Sequence, residues 1–302
     1  MTFASTGAAR SVMRTVYNLI PREISVPVRS AWQFRWYQRR YGKAGQQRPH
    51  DLPGELVVSL TSYPPRFPTL HLTLHNLLDQ TVRPDRVVLS VAEGDEELLP
   101  PRVRALIGNG VELRVVPDVR SFKKLVFAVQ EWPDAFIVTA DDDNFYPSNW
   151  LEQLVNGFDP ANPAIICHRA HRLPMSGGDR LPPYDTWEND VQDAAARTPS
   201  RDLVAVGLGG IFYPPRSLHP DVTDQEAFSR LCPRADDLWF YWCARRVGTL
   251  YKKVGGRFPA LYWASSQDVS LFTSNMTEND VQARRLIEAY GNPVTWPEPA
   301  AG

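Results

Sequence analysis

The first half of the chain alternates short apolar runs with segments in which leucines recur at helical spacing. Four runs of five or six mostly apolar residues predict buried strands over residues 56–60, 86–91, 111–116 and 135–139. Apolar positions at helical spacing predict helices over residues 70–78, around residues 103–107 and over residues 123–132. Strands and helices that alternate at such short intervals predict an α/β fold with an open, mainly parallel sheet flanked by helices.

The second half of the chain is less regular. A strand is predicted over residues 164–167, and a long loop over residues 169–200, which are rich in Pro, Gly, Arg and Asp. A strand-like run interrupted by glycines follows at 203–213, and an aromatic, buried helix is predicted over residues 238–247. The last helix is predicted to run from Thr277 to Tyr290, with Asp280 placed for a capping box.

Residues 1–50 differ from the remainder because they hold nine basic side chains and one acidic side chain. We interpret them as a basic, amphipathic N-terminal extension, and residues 51–302 as the catalytic domain. Aromatic and arginine residues alternate over 31–40, which is typical of helices that lie in a membrane interface. The sequence therefore allows peripheral membrane contact through residues 10–45. A helix packed on the domain's own surface and a loose leader are the alternatives.

Composition excludes some classes of protein. The net charge of −1 does not favour nucleic acid as a partner, and 43% hydrophobic residues is ordinary for a globular protein. Arginines interrupt the N-terminal segment, and no apolar stretch approaches the ~18 residues that span a bilayer, so neither a signal peptide nor a membrane anchor is predicted. Cys167, Cys232 and Cys243 lack metal-site spacing and are expected to be reduced, which favours a cytoplasmic location, with the inner membrane face as an option.

The acidic run Asp141, Asp142 and Asp143 directly follows the fourth predicted strand. Ligands of open α/β sheets bind beyond the carboxyl ends of the strands. Three adjacent carboxylates repel one another, and a divalent cation with oxygen ligands relieves that repulsion. The run therefore indicates a site for Mn²⁺ or Mg²⁺ together with substrate phosphates. An acidic turn closed by Asn144 and Pro147 is the alternative.

A hydrophobic strand that ends in Thr139–Asp143 resembles the DxD motif of GT-A-fold glycosyltransferases, which have a Rossmann-like sheet. Within this group, the chain resembles the family 2 enzymes of bacterial polysaccharide synthesis. The resemblance implies a nucleoside diphosphate sugar as donor and Mn²⁺ or Mg²⁺ as the metal. It implies Asp141 and Asp143 as metal ligands, with Asp141 also facing the ribose or sugar. Asp142 shares either role, because a run of three leaves the register open.

Two upstream segments fit the same resemblance. The stretch that follows the first strand resembles the part of these enzymes that opens the nucleotide pocket, which implies contacts from Thr61, Ser62, Tyr63 and Arg66. An ordinary strand-to-helix turn is the alternative there.

After the third strand, the resemblance implies that Asp118 contacts the base and that Lys124 reaches a phosphate or the acidic run. Lys123 competes for the role of Lys124, and a solvated surface pair is the alternative for both positions.

Asp236 and Asp237 lie about ninety residues after the acidic run. Inverting GT-A enzymes place an acidic residue near the start of a helix here, where it deprotonates the acceptor hydroxyl. A sugar hydroxyl is a poor nucleophile, so direct displacement needs such a base. Asp237 is favoured over Asp236, and a helix cap is the alternative for either residue.

Weaker signals surround these motifs. The glycines of residues 207–210 let the backbone approach a donor sugar in the resembled family, and His168, Arg169 and His171 are candidates for acceptor or phosphate binding. A polar cluster near the C-terminus is similar to one in bacterial polysaccharide enzymes: Asn275, Asn279, Asp280 and Gln282. The family often supplies a late histidine to the metal. This chain has no histidine after His219, so that ligand is either missing or replaced by a residue such as Gln267 or Asp268.

These patterns together predict a metal-dependent glycosyltransferase that moves a sugar to a glycan or a lipid-linked saccharide, with inversion favoured. A nucleotidyltransferase that makes nucleotide-sugars is an alternative, although such enzymes need a glycine-rich basic loop after the first strand and residues 61–65 contain no glycine. A non-catalytic module that binds nucleotide-sugars is the other alternative.

Overall fold

A computed structural model describes residues 22–42, 45–174, 181–264, 272–293 and 295–296, and it describes side chains from residue 28 in the first helix and from residue 278 in the last. In this part of the chain the strands are β1 Leu56–Thr61, β2 Arg86–Ala92, β3 Glu112–Val116, β4 Phe136–Ala140, β5 Ile165–Cys167, β6 Ala170–Arg172, β7 Leu203–Ala205, β8 Ile211–Tyr213 and β9 Tyr251–Lys253. The helices are α1 Arg22–Tyr41, α2 Phe67–Leu78, α3 Pro101–Arg104, α4 Val126–Glu131, α5 Trp150–Asn156, α6 Gln225–Leu231, α7 Asp236–Arg246 and α8 Phe272–Tyr290.

Seven strands form one sheet in the order β3-β2-β1-β4-β8-β5-β9. The four strands predicted from the first half are parallel to one another, β5 is parallel to β9, and β8 runs antiparallel between β4 and β5. Strands β6 and β7 form a separate antiparallel pair. The predicted α/β fold with an open, mainly parallel sheet is therefore confirmed.

Alternating side chains of β1 point to opposite faces of the sheet, and both faces are covered. Leu56, Val58 and Leu60 belong to a core shared with α2, α3 and α5. Val57 lies on the other face, beside Val88. A second large core forms around α4, α7 and α8. Burial on both faces explains why β1 is a continuous apolar run, since neither face of this strand meets water.

Several predicted boundaries were wrong. Instead of one helix over 123–132, a 3-10 turn spans Arg120–Lys124 and α4 begins at Val126, because Leu125 between them has a φ of −123°, far from the helical value. The predicted loop over 169–200 contains β6 and two 3-10 turns. The run over 203–213 is split into β7 and β8.

The last helix begins at Phe272, five residues before the predicted start. Asp280 is therefore inside the helix and does not form a capping box. Its carboxylate instead accepts a hydrogen bond from the backbone N–H of Tyr184, with 2.7 Å between nitrogen and oxygen.

Helix α1 packs against α2, and Tyr37 of α1 is buried in a cluster with Leu72, Phe145 and Trp263. The described part of the N-terminal segment thus contacts the fold through one face. The division of the chain at residue 50 stays a prediction. In the described residues, no helix combines the length and the apolar character needed to cross a membrane.

Candidate active site

The acidic run lies at the carboxyl edge of the sheet because it follows β4. Strand β1 is the parallel neighbour of β4, so the residues after β1 end at the same edge. Ser62 accordingly donates its hydroxyl hydrogen bond to the carboxylate of Asp142. Thr61 turns towards β2 instead, where its hydroxyl donates to the carbonyl oxygen of Ser90 at 2.8 Å. Neighbouring parallel strands therefore bring together two segments that are about 80 residues apart in the sequence.

The three carboxylates of the acidic run point to three different partners. Asp141 faces Lys124, with 3.2 Å between Oδ1 and Nζ. Asp142 accepts from Ser62, and Asp143 forms a buried ion pair with Arg66. The run is thus not a solvated acidic turn, because each of its carboxylates has a defined partner.

Side-chain hydrogen bonds fix the backbone of the acidic run. The N–H of Asp141 donates to the hydroxyl oxygen of Tyr146 at 2.7 Å. Thr73 donates its hydroxyl to the carbonyl oxygen of Asp142 at 2.8 Å, and the indole N–H of Trp263 donates to the Thr73 hydroxyl at 2.7 Å. The carboxylates are therefore held on a backbone with little freedom to rotate.

Lys124 connects the acidic run to α7. Its amine lies 3.2 Å from Asp141 Oδ1 and 3.1 Å from Asp236 Oδ2, and the side chain is buried. Burial alone would lower the pKa of this amine, but the charges of the surrounding carboxylates outweigh burial and hold that pKa well above its ordinary value. Lys124 is thus a permanent cation shared between two parts of the site.

Asp236 and Asp237 occupy the first turn of α7, after an N-cap at Ala235. Neither aspartate caps the helix. Gln282 from α8 instead holds the segment that leads into α7, because its side-chain carbonyl oxygen accepts from the backbone N–H groups of Arg234 at 2.9 Å and Ala235 at 3.3 Å. Both aspartates are consequently available to the site.

The two aspartates of α7 have different surroundings. Asp236 pairs with Lys124, whereas Asp237 Oδ2 accepts from the backbone N–H of Gly207 at 3.0 Å. Among the described residues, the buried Oδ1 of Asp237 has no hydrogen-bond partner. Burial raises the pKa of Asp237 to about 7, with a further contribution from Asp236 and an opposing one from Lys124. A carboxylate with a free oxygen and a pKa near neutrality has the properties of a general base.

Gly207 lies between the side chains of Lys124, Asp141 and Asp237. A Cβ atom at this position would lie 2.8 Å from Lys124 Nζ, 3.4 Å from Asp237 Oδ1 and 3.6 Å from Asp141 Oδ1. Because β8 runs antiparallel to β4, the segment that leads into β8 lies at the carboxyl edge of β4. The sequence marked this glycine run, but it did not identify Gly207 as the contact.

We expect Gly207→Ala to lower turnover by about tenfold or more, because the new methyl group would displace the Lys124 amine from its carboxylates, and small displacements of reacting groups cost this much. The measurement is steady-state kinetics of the variant and of the wild type. Gly256→Ala is the matched control, since no atom lies within 4 Å of a Cβ there. Equal rates for both variants would show that the close approach at Gly207 has no role.

Among the described residues, negative charge exceeds positive charge at this edge, where the five aspartates 141–143, 236 and 237 lie with two ion-paired cations, Arg66 and Lys124. Burial raises the pKa of Asp142 to about 7, with Asp143 as the next contribution, and burial also raises the pKa of Asp143. Among the described residues, no three His, Cys, Asp or Glu side chains converge as a complete metal site. The residues fit a divalent cation that takes one or two carboxylates and completes its shell with phosphates and water.

Two predicted nucleotide contacts, Asp118 and Tyr63, are exposed. Asp118 has a side chain that is 64% exposed, and it pairs with Lys123. It follows β3, which is separated from β4 by β2 and β1. Tyr63 is exposed, and its side chain forms a hydrogen bond with Arg66. Their roles at the nucleobase stay predictions, and of the two competing lysines only Lys124 faces the acidic run.

The histidines after β5 make contacts within the protein. His168 is buried, with Nε2 3.2 Å from the carbonyl oxygen of Trp150, and Nδ1 of His171 accepts from the backbone N–H of Asp190 at 3.1 Å. Burial lowers the pKa of both imidazoles to about 4, so they are neutral near pH 7. Arg169 lies 4.0 Å from Asp190.

Other predicted residues have mixed outcomes. The buried Asn279 lies beside Tyr184, while Gln267, Asp268 and the side chain of Asn275 lie outside the described residues. Whether Gln267 or Asp268 replaces a histidine ligand therefore stays a prediction. The three cysteines are buried free thiols.

No protein-family model and no curated protein sequence matches this chain. Solved structures similar to it include a mannosyltransferase from Pyrobaculum calidifontis in complex with GDP-Man and Mn²⁺, at 13% identity and a TM-score of 0.49, over 97% of this chain and 77% of that one. A 4-diphosphocytidyl-2C-methyl-D-erythritol synthase has 12% identity and a TM-score of 0.43, over 72% of this chain and 96% of that one. A CMP:2-keto-3-deoxy-manno-octonic acid synthetase complexed with CTP has 14% identity and a TM-score of 0.39, over 68% and 93%. Likeness this distant assigns no activity.

Proposed function

We propose that this protein is a glycosyltransferase that moves a sugar from a nucleoside diphosphate donor to a glycan or lipid-linked saccharide acceptor, with inversion at the sugar. One observation carries the proposal. A carboxylate with a free oxygen and a pKa near 7, Asp237, lies beside an acidic run at the carboxyl edge of a parallel sheet. A base for a hydroxyl and a site for phosphates are the two parts that direct sugar transfer requires.

The donor side of the site consists of the segment after β1 and the acidic run. Asp141 and Asp143 would hold Mn²⁺ or Mg²⁺, and the bound ion would stabilise the negative charge on the departing nucleoside diphosphate. Arg66 and Lys124 lie against the same two carboxylates, so both cations are within the region where the phosphates would bind. Ser62 positions Asp142 through its hydroxyl, while Thr61, Tyr63 and Asp118 remain proposed contacts to base and ribose.

The acceptor side is centred on Asp237. Its Oδ2 is fixed by the N–H of Gly207, which leaves Oδ1 to accept the proton of the acceptor hydroxyl as that oxygen attacks the sugar. Lys124 lies between Asp237 and the acidic run, and its charge keeps the acceptor side and the donor side of the site at a fixed distance from each other.

The rate should depend on the ionisation of this base. Because the pKa of Asp237 is raised to about 7, the base is protonated and inactive below that pH. We expect kcat/KM to fall about tenfold for each pH unit below ~7 and to reach a plateau above it. Asp142→Asn is the control, because the pKa of Asp142 is also about 7. If kcat/KM of this variant no longer falls below pH ~7, the group whose protonation lowers the rate is Asp142 and not Asp237.

A nucleotidyltransferase remains the second candidate. Such an enzyme would release pyrophosphate from a nucleoside triphosphate and a sugar phosphate, whereas a glycosyltransferase releases a nucleoside diphosphate from a nucleotide-sugar. The segment after β1 offers the buried Arg66 pair in place of a glycine-rich loop, which argues for the glycosyltransferase.

The test is a panel of nucleotide-sugars incubated with the protein and Mn²⁺ or Mg²⁺, with release of nucleoside diphosphate as the readout. A parallel panel contains nucleoside triphosphates and sugar phosphates, with pyrophosphate as the readout. We expect product in the first panel and none in the second. Pyrophosphate release alone would replace the proposal with the second candidate.

A further inference from the structure

Helix α1 has two faces of different character. Its inner face holds Phe34, Tyr37 and Tyr41, which pack with Phe145 and Trp263 in one aromatic cluster. Ring centroids in this cluster lie 5.3–6.3 Å apart, within the range of favourable aromatic pairs. The inner face thus anchors the helix to the protein and fixes which residues face outwards.

The outer face exposes an apolar stripe. Val28, Trp32 and Trp36 are spaced four residues apart, so they line up along one side of the helix. Their exposed fractions are 59%, 66% and 46%. An aligned pair of exposed tryptophans is unusual for a face that meets only water, and such patches mark sites of association.

Four exposed arginines flank the stripe: Arg29, Arg35, Arg39 and Arg40. Residues 28–41 contain no acidic residue. The outer face therefore combines indole rings with a single sign of charge. Indoles favour the headgroup region of a bilayer, and arginines are attracted to anionic headgroups.

We propose that the outer face of α1 binds the surface of an anionic lipid bilayer, with the helix lying in the plane of the interface. A second copy of the chain is a poor occupant, because a two-fold contact would bring the arginines of both copies together. This proposal concerns membrane binding and is independent of the reaction at the acidic run.

The same helix is tied to the candidate active site. Gln33 Oε1 accepts from the backbone N–H of Ala264 at 2.9 Å, and Gln33 Nε2 donates to the carbonyl oxygen of Tyr262 at 3.4 Å. Between these two residues, the backbone N–H of Trp263 donates to the carbonyl oxygen of Asp143 at 3.0 Å. A bilayer bound by α1 would therefore have a fixed position relative to the acidic run, which suits an acceptor presented at a membrane.

The test is co-sedimentation of the full chain with vesicles of phosphatidylcholine alone and with vesicles that also contain phosphatidylglycerol. We expect binding only to the anionic vesicles, and weaker binding as salt is added. Trp32→Ala with Trp36→Ala should weaken binding about tenfold or more, because both indoles lose their burial in the interface. Arg35→Gln with Arg39→Gln should weaken it about fivefold for each arginine.

Two control variants carry equivalent changes elsewhere. Leu98→Ala removes an apolar side chain that is 60% exposed, and Arg216→Gln removes a cation that is 86% exposed. Both should bind vesicles as the wild type does. The proposal is overturned if the wild type binds neutral and anionic vesicles equally, or if the two α1 variants bind as well as the wild type. It is also overturned if the wild type binds no vesicles and instead forms a dimer that the tryptophan variant no longer forms.

Discussion

Asp237→Asn is expected to lower kcat by about 10²–10⁴-fold while the affinity for the donor stays near the wild-type value, since this is the usual contribution of a general base. Asparagine keeps an oxygen that accepts the hydrogen bond from the N–H of Gly207, so the local fold should be retained. What the variant loses is the ability of the second carboxylate oxygen to take a proton. The measurement is turnover with saturating donor, together with donor binding by thermal shift.

Asp236→Asn is the matched variant, because it changes the neighbouring carboxylate on the same turn of α7. Asp236 contributes to the charge balance of Lys124, so we expect a smaller loss of kcat and a lower stability. A larger loss of kcat in Asp236→Asn than in Asp237→Asn would assign the base to Asp236. If Asp237→Asn loses donor affinity and turnover equally, that residue is not a base.

Lys124→Met should lower the free energy of unfolding by about 3–5 kcal/mol at pH 7, which is typical when one partner of a buried ionic network is removed. The amine is buried between Asp141 and Asp236, and no other cation is within ion-pair distance of these two carboxylates in the described residues. The measurement is urea denaturation. The urea concentration at the midpoint of unfolding is compared between the variant and the wild type, provided that the slope of the unfolding free energy against urea is the same in both.

Lys123→Met is the control, since it is the same substitution one residue away. Lys123 is also buried, but its partner Asp118 has a side chain that is 64% exposed, so Lys123→Met leaves a solvated carboxylate and should cost less stability than Lys124→Met. Equal losses in the two variants would show that Lys124 has no special role.

The effect of Lys124→Met should also depend on pH. The pKa of Asp237 is raised to about 7 by burial while Lys124 opposes that rise, so without the amine this pKa should rise further above its unfolded value. Groups of this kind bind protons more tightly in the folded state, so stability falls as pH rises through the range between the two values. The variant should therefore recover stability as pH is lowered from 7 towards 5.

The sequence was sufficient to predict the first four strands and the position of the acidic run. Strands β1, β2 and β4 are buried apolar runs, and the pattern of such a run is visible without the structure. Because β1 and β4 are parallel neighbours, their carboxyl ends lie side by side, and this places Ser62 next to Asp142.

Features that depend on tertiary contacts were not predictable. Lys123 and Lys124 are adjacent in a 3-10 turn. Only the direction of each side chain decides that Lys123 pairs with Asp118 while Lys124 faces the acidic run. The segment that leads into α7 is held by Gln282, which lies on another helix. Strands β6 and β9 have three residues each, which is too short for a period of two to be recognised.

The central claim is that the acidic run binds the diphosphate of a nucleotide together with a divalent cation. The most direct measurement is the thermal unfolding of wild-type protein and Asp143→Asn with a panel of nucleoside diphosphates, each with and without Mn²⁺. A ligand that binds only the folded state raises its stability by about 2.7 kcal/mol at a concentration of 100 times Kd. We predict a higher Tm for the wild type only when nucleotide and Mn²⁺ are both present, and no such rise for Asp143→Asn. An equal rise in the variant, or no rise with any nucleotide in the wild type, would contradict the claim.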